Sequence, residues 1–170
     1  MPTLEERIAR LEDRAEIRDL AARYFLATDD DNYGVLADCF TANADFEATG
    51  FEGGEGREGI IAFLQAARAG MGQTVHTIDY AHVTPTGPDT ADGIVTAHLE
   101  LGMDGTTVYA AVRYIDKYER EDGRWRIAAR SMKTVHLGSW DLVASSLTEI
   151  NNVRWPGGEP EPSDFPRKPS

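Results

Sequence analysis

A chain of 170 residues, 41% of them hydrophobic, is long enough to bury the core of one domain. Its 29 acidic against 17 basic residues leave a formal charge of −12, which repels phosphate backbones and anionic lipid and so argues against nucleic-acid and membrane partners. One cysteine allows no intrachain disulfide, the N-terminus has no basic start or apolar signal core, and no apolar run could span a bilayer, so a cytoplasmic protein is expected.

Thr3 and Glu6 form a Thr-x-x-Glu capping box, which opens a helix. Leu4, Ile8, Leu11, Ile17, Leu20, Ala21, Tyr24 and Phe25 recur at helical spacing and carry it to about Thr28. Its first turns are polar enough to pack on a neighbouring subunit instead of the core. Asp29-Asp30-Asp31-Asn32 then interrupts the pattern. Acidic side chains at a helix C-terminus oppose the macrodipole, so helix stability does not account for three of them. Asp31 or Asn32 can N-cap a short helix from Tyr33 to Phe40; Asp29 is not needed for that cap. Cys39 falls where a small buried hydrophobe belongs and reads as an inert core thiol.

Asp45 to Thr49 predicts a short strand, Gly50 to Gly56 a glycine-rich mobile loop rimming a cavity, and Arg57 to Ala69 a third helix with Ile60, Ile61, Phe63 and Leu64 inward. Four strand-like runs follow, over Val75–Thr84, Gly93–Met103, Thr106–Glu119 and Arg124–Leu137. Asp104-Gly105 and Asp122-Gly123 are hairpin signals, which predict consecutive antiparallel pairing. Residues 1–138 are read as the domain and 139–170 as a C-terminal extension; Pro156 to Ser170 should be extended or disordered. Helices first and then a curved antiparallel meander define an α+β architecture, a cone-shaped sheet enclosing an apolar pocket with a few polar groups.

Three polar residues stand out in this pattern: Asp29 at the end of the first helix, His76 in the strand Thr74-Val75-His76, and Arg130 beyond Trp125-Arg126-Ile127. A carboxylate beside an imidazole makes a general base able to remove a carbon-bound proton, and a nearby cation can hold the charge that results. On a regular strand His76 shares its face with Ile78, Tyr80 and His82. Arg130 alternates with Ala128 and Met132, with Trp125 and Ile127 on the other face, which makes it either a pocket residue or an exposed sheet residue. Tyr24 is either ordinary helix packing or a phenol that donates to a substrate carbonyl. His82, His98 and His136 read as structural or surface residues. No HxxxH, HExxH or cysteine cluster suggests a metal site, and Gly53-Gly54-Glu55-Gly56 lacks the Lys-Ser/Thr of a phosphate loop.

Ala15-Glu16-Ile17-Arg18-Asp19-Leu20, Tyr24, Asp29, Leu36-Ala37-x-x-Phe40, Gly59-Ile60, Thr74-Val75-His76, Tyr114-x-x-x-Tyr118-Glu119-Arg120-x-Asp122-Gly123-x-Trp125 and Arg130 together resemble the nuclear-transport-factor-2-like superfamily, in particular its SnoaL-like branch. The resemblance spans roughly residues 4 to 137 and implies the cystatin-like α+β barrel. In that branch, hexachlorocyclohexane dehydrochlorinase uses an Asp–His dyad and an Arg at the places of Asp29, His76 and Arg130, with a Lys where this chain has Tyr24. Bile-acid dehydratases place a Tyr, an Asp and a His as Tyr24, Asp29 and His76 are placed. Scytalone dehydratase likewise expels water with Tyr, Asp and His, though its tyrosines are only partly matched here.

The resemblance implies a cofactor-independent lyase, with catalytic residues His76, Asp29, Tyr24 and Arg130, that eliminates water from a hydrophobic, polycyclic or aromatic, hydroxylated substrate. Three other readings share the scaffold: a ketosteroid-type isomerase, a lyase releasing formaldehyde from lignin-derived aromatics, and a non-catalytic small-molecule-binding module. It also implies a homo-oligomer, a trimer before a dimer, with the sheet face of Thr96, His98 and Glu100 as one contact surface and the segment from Trp140 onward wrapping a neighbour.

Overall fold

The computed structural model describes residues 1–166. Its first helix, α1 (Leu4–Asp29), starts at the expected capping box: the Thr3 hydroxyl accepts from the Glu6 amide and the Glu6 carboxylate accepts from the Thr3 amide. Only its second half is buried, through Ile17, Leu20, Ala21, Tyr24, Phe25, Ala27 and Thr28, while Leu4, Ile8 and Leu11 face outward. Trp125 ties the middle of the helix to the sheet, its indole donating to Asp13 and its amide to Glu16.

Asn32 caps α2 (Tyr33–Asp38), accepting from the Val35 amide. The helix stops short of the expected Phe40 because the Cys39 carbonyl accepts from the Ile127 amide, which starts β1 (Phe40–Ala48) at Phe40. The two-residue β2 (Gly54–Glu55) leads into α3 (Gly56–Arg68), with Ile60 and Leu64 inward. The long strands are β3 (Thr74–Pro85), β4 (Thr90–Met103), β5 (Thr106–Glu121) and β6 (Arg124–Ser139). Asp104-Gly105 and Asp122-Gly123 have positive φ at both residues, the type I′ geometry that joins tightly paired antiparallel strands.

The six strands form one curved, unclosed sheet in the order β2-β1-β6-β5-β4-β3. All pairs are antiparallel except β1 with β6, which run parallel and match Asp45 to Ala129 and Phe46 to Arg130. The expected α+β class and curved meander are therefore present, with α1 and α3 packed into the bend. No helix among the described residues is long and apolar enough to cross a membrane.

Two strands are less regular than their sequence suggests. Ile78 pairs with Ala97 and Tyr80 with Thr96, so Asp79 is an extra residue in β3. The facing flips there: Thr74, His76 and Ile78 point inward, then Ala81 and Val83, which turns Tyr80 and His82 away from the His76 face. In β6, Tyr118 pairs with Ile127 and Lys117 with Ala129, leaving Ala128 unpaired. Trp125, Ile127 and Arg130 consequently all end up buried, and the expected opposition between them is absent.

After β6 come a short 3₁₀ turn (Trp140–Leu142) and α4 (Val143–Ser146). The chain then returns along the sheet: Val153 bridges Leu137 on one side and Glu161 on the other, and Asp164 accepts from the Thr134 amide. Extended and docked is the state of the C-terminal segment to Pro166; the rest of the expected disordered tail lies outside the described residues.

Candidate active site

The inner side of the bend encloses a cavity of about 90 Å³. Its apolar wall includes Phe46, Leu64, Leu99, Leu101 and Met132, and its polar end is made by Tyr24, Thr28, Arg68, His76 and Tyr114. Phe51, Phe63 and Trp155 close the mouth, Phe51 meeting Trp155 edge-on at 5.2 Å between ring centres and Phe63 at 6.2 Å. Ordinary small-molecule sites run to ~300–1,000 Å³, so a multi-ring ligand needs this aromatic cover displaced.

The glycine-rich segment is pinned under that cover by close packing. A Cβ on Gly53, whose φ is +76°, would stand 2.2 Å from the Phe46 carbonyl oxygen. On Gly54 it would stand 2.8 Å from backbone atoms of Gly59 and Ile60. The glycines are what let this loop reach over the cavity as its rim.

Asp29 ends α1 at the start of β3, and the strand delivers three donors to its carboxylate. His76 Nδ1 lies 2.6 Å from Oδ1, the His76 amide donates to Oδ2 at 2.9 Å, and the Thr74 hydroxyl donates to Oδ1 at 2.8 Å. Burial pushes the Asp29 carboxyl up, but the hydrogen bonds from the His76 ring, the His76 amide and Thr74, with the imidazole charge, outweigh it and hold it below the ordinary carboxylate value. An ionised carboxylate only accepts, so the Nδ1 nitrogen carries the proton, and in the neutral ring Nε2 is the nitrogen with the lone pair. The Phe25 ring stacks on the imidazole at 5.2 Å and fixes its plane.

Tyr24 sits one turn before Asp29 and lines the same cavity. Burial raises its phenol above the usual value, and the Arg130 guanidinium partly opposes that shift. Tyr24 is thus a protonated donor at neutral pH. The sequence-selected Asp29, His76 and Tyr24 are brought to one place.

Arg130 is buried, against the exposed alternative, and does not line this cavity. Its side chain is 0% exposed and makes two hydrogen bonds to Asp116, Nε at 2.8 Å and Nη2 at 2.7 Å. Tyr118 donates to the same carboxylate at 2.6 Å. The guanidinium carbon lies 4.3 Å from the Tyr24 ring centre and 4.7 Å from that of Tyr114, so those rings stand between the cation and the cavity.

Arg68, Thr74, Asp116 and Tyr114 complete the site and were given no role in it from sequence, Thr74 and Tyr114 having been noted only for the resemblance. Arg68, at the end of α3, donates from Nε to Asp31 at 2.7 Å and from Nη2 to Thr74 at 3.2 Å. Asp116 had a readable signal, since it alternates with the inward-facing Val112, Tyr114 and Tyr118. Arg68 had none: a basic residue in a last helical turn is ordinary complementarity to the dipole. Elsewhere, burial pushes the Cys39 thiol up, away from thiolate reactivity. His98 lies outside the cavity and pairs with Asp79 at 2.9 Å.

The profile of the SnoaL-like domain family matches residues 9–131. No functionally curated protein matches the chain in sequence. Among solved structures, hexachlorocyclohexane dehydrochlorinase LinA-type3 from Novosphingobium barchaimii superposes with a TM-score of 0.72 at 21% identity, over 78% of this chain and 92% of that one. A provisional scytalone dehydratase from Novosphingobium aromaticivorans gives 0.71 at 17% identity, over 78% and 90%. An NTF2-like protein with a cystatin-like fold from the same organism gives 0.64 at 28% identity, over 88% and 99%.

Proposed function

The chain belongs to the family of SnoaL-like domains, and from that membership and the geometry of its cavity we propose that it is a cofactor-independent lyase that removes water from a hydrophobic, hydroxylated carbonyl compound. The observation that carries this reading is the His76–Asp29 pair at 2.6 Å, with the His76 ring in the wall of an otherwise apolar cavity. A binding module has no need of that pair and would leave the two residues out of hydrogen-bonding reach.

In the proposed reaction the Nε2 nitrogen of His76 takes a proton from the carbon beside the substrate carbonyl. Asp29 holds the ring in the required tautomer and stabilises the imidazolium that forms. The C–H electron pair becomes a carbon–carbon double bond and pushes the carbonyl π pair onto oxygen. Collapse of that enolate breaks the bond to the neighbouring hydroxyl, which departs as water with the proton returned by His76 or given by Tyr24. Arg130 acts through Tyr24, orienting its ring and opposing the rise of its pKa. The protein supplies positioning and electrostatics. The neighbours named for dehydrochlorination and dehydration support an elimination on this scaffold.

A mass-spectrometric assay of the purified chain against hydroxylated ketones and lignin-derived aromatic diols tests the proposal. Loss of one water is expected, and His76→Ala should lower it by roughly 10²–10⁴-fold with an unchanged circular dichroism spectrum. Retained turnover in that variant sinks the scheme. An isomer of unchanged mass would indicate proton return without a leaving group, and released formaldehyde would indicate carbon–carbon cleavage.

A further inference from the structure

The proposed chemistry creates an oxyanion, and Arg130 does not line the cavity where it forms: Nε and Nη2 hold Asp116, and its Nη1, beside the Tyr24 and Tyr114 rings, is buried with no hydrogen-bond partner among the described residues. Among the residues lining the cavity the cation is Arg68. Its side chain is nearly buried, and its bonds to Asp31 and Thr74 use Nε and Nη2, which leaves Nη1 as the donor for a ligand.

Thr74 fixes where that donor stands relative to the base. Its hydroxyl donates to Asp29 at 2.8 Å and accepts from Arg68 at 3.2 Å, so base and cation are tethered to one oxygen. A substrate with a C–H and a carbonyl oxygen two bonds apart can meet both at once. We infer that Arg68 is the catalytic cation of this site, donating to the oxygen that becomes anionic as His76 removes the proton, and that the substrate is a neutral ketone or aldehyde rather than a carboxylate. This rests on the proton-abstraction reading above.

The choice of a neutral substrate comes from the charges around Arg68. Asp31 lies 2.7 Å from its Nε, and Asp29 is joined to it through Thr74, two carboxylates against one guanidinium. A ligand already anionic when it enters is repelled by that surplus and must be desolvated too. A charge that appears only as the imidazolium forms is met by new positive charge at the same moment. Arg68 therefore acts on the transition state more than on the bound substrate.

Two measurements on the full chain separate this inference from the reading beneath it. The first is calorimetric binding of 4-chlorophenol, a neutral one-ring compound whose oxygen mimics an enolate once His76 takes its proton, with 4-chlorobenzoate as the permanently anionic control. It is carried out with the wild-type chain and with Arg68→Gln, and needs no turnover. Weakening of 4-chlorophenol by about tenfold or more in Arg68→Gln, with 4-chlorobenzoate binding poorly to both, is expected; equal 4-chlorophenol affinities, or tighter benzoate binding that depends on Arg68, would overturn the inference. The second measurement applies to any ketone found to be dehydrated. Arg68→Gln should lower kcat by roughly 10²-fold or more with KM nearly unchanged, and Arg68→Lys should recover part of it. A loss confined to KM would assign Arg68 to ground-state binding and overturn the catalytic role. Loss of turnover in His76→Ala alone speaks only to the proton abstraction.

Discussion

His76 depends on three hydrogen bonds that all end on one carboxylate, so the state of Asp29 controls the shape of the site. The folded-state value of Asp29 is held below the ordinary one, so the protein binds this proton less readily than the unfolded chain does. The sign is fixed by that direction: the contribution to stability is full above the unfolded value near ~3.9 and disappears as pH falls through the folded value. Asp29→Asn keeps the shape and removes the charge, and should cost about 1 kcal/mol at neutral pH. Thermal melts at stepped pH check this: the gap between the two proteins should be constant from about pH 5 upward and close in acid. A gap that widened in acid would mean Asp29 is stabilising as the protonated form. Asp29 stood out in sequence because capping leaves it unexplained, and His76 mostly through the family resemblance; the structure sets the two in hydrogen-bonding contact. Arg68 was hidden because its partner Thr74 lies across a turn and its helical position is unremarkable.

Elements with a local cause were readable, and those set by pairing across the sheet were not. The capping box and the two Asp-Gly turns declare themselves within a few residues. The extra residues at Asp79 and Ala128 exist only relative to a partner strand, so alternation read along one strand assigns the wrong face beyond them. That is how Tyr80 and His82 were grouped with His76, and Arg130 set against Trp125. The glycine-rich segment similarly reads as slack until its closeness to β1 and α3 is seen. Gly53→Ala should lower the melting temperature, since both the positive φ and the 2.2 Å approach to Phe46 forbid a side chain there. Gly105→Ala, at φ +74° with open space around it, serves as the control that carries the backbone strain alone. Equal losses in the two variants would show that the close approach is relieved at no cost.

At the scale of the molecule, the C-terminal segment is part of the cavity. Val153 is buried against β6, and Trp155 leaves that anchor to meet Phe51 over the mouth. Removing the indole should admit larger ligands: Trp155→Ala is expected to raise kcat/KM for two-ring over one-ring substrates by about tenfold, the scale of discrimination an apolar wall provides. Steady-state kinetics with a matched substrate pair measures it, and an unchanged ratio would place the size limit deeper, at Phe46 and Met132. Read from sequence, the segment from Trp140 onward was expected to wrap a neighbouring subunit; Val153 and Trp155 instead dock on their own chain.

The parallel pairing of β1 with β6 also has a history written into it. Asp45 and Phe46 find their partners in Ala129 and Arg130, close to the other end of the chain. At ribosomal speeds of about 5–20 residues per second, the second strand emerges on the order of ten seconds after the first. Until then α1 lacks the anchor that Trp125 gives Asp13 and Glu16, and β1 has an open edge. A nascent chain of this protein therefore stays sticky through most of its synthesis, and becomes safe only when its last long strand arrives.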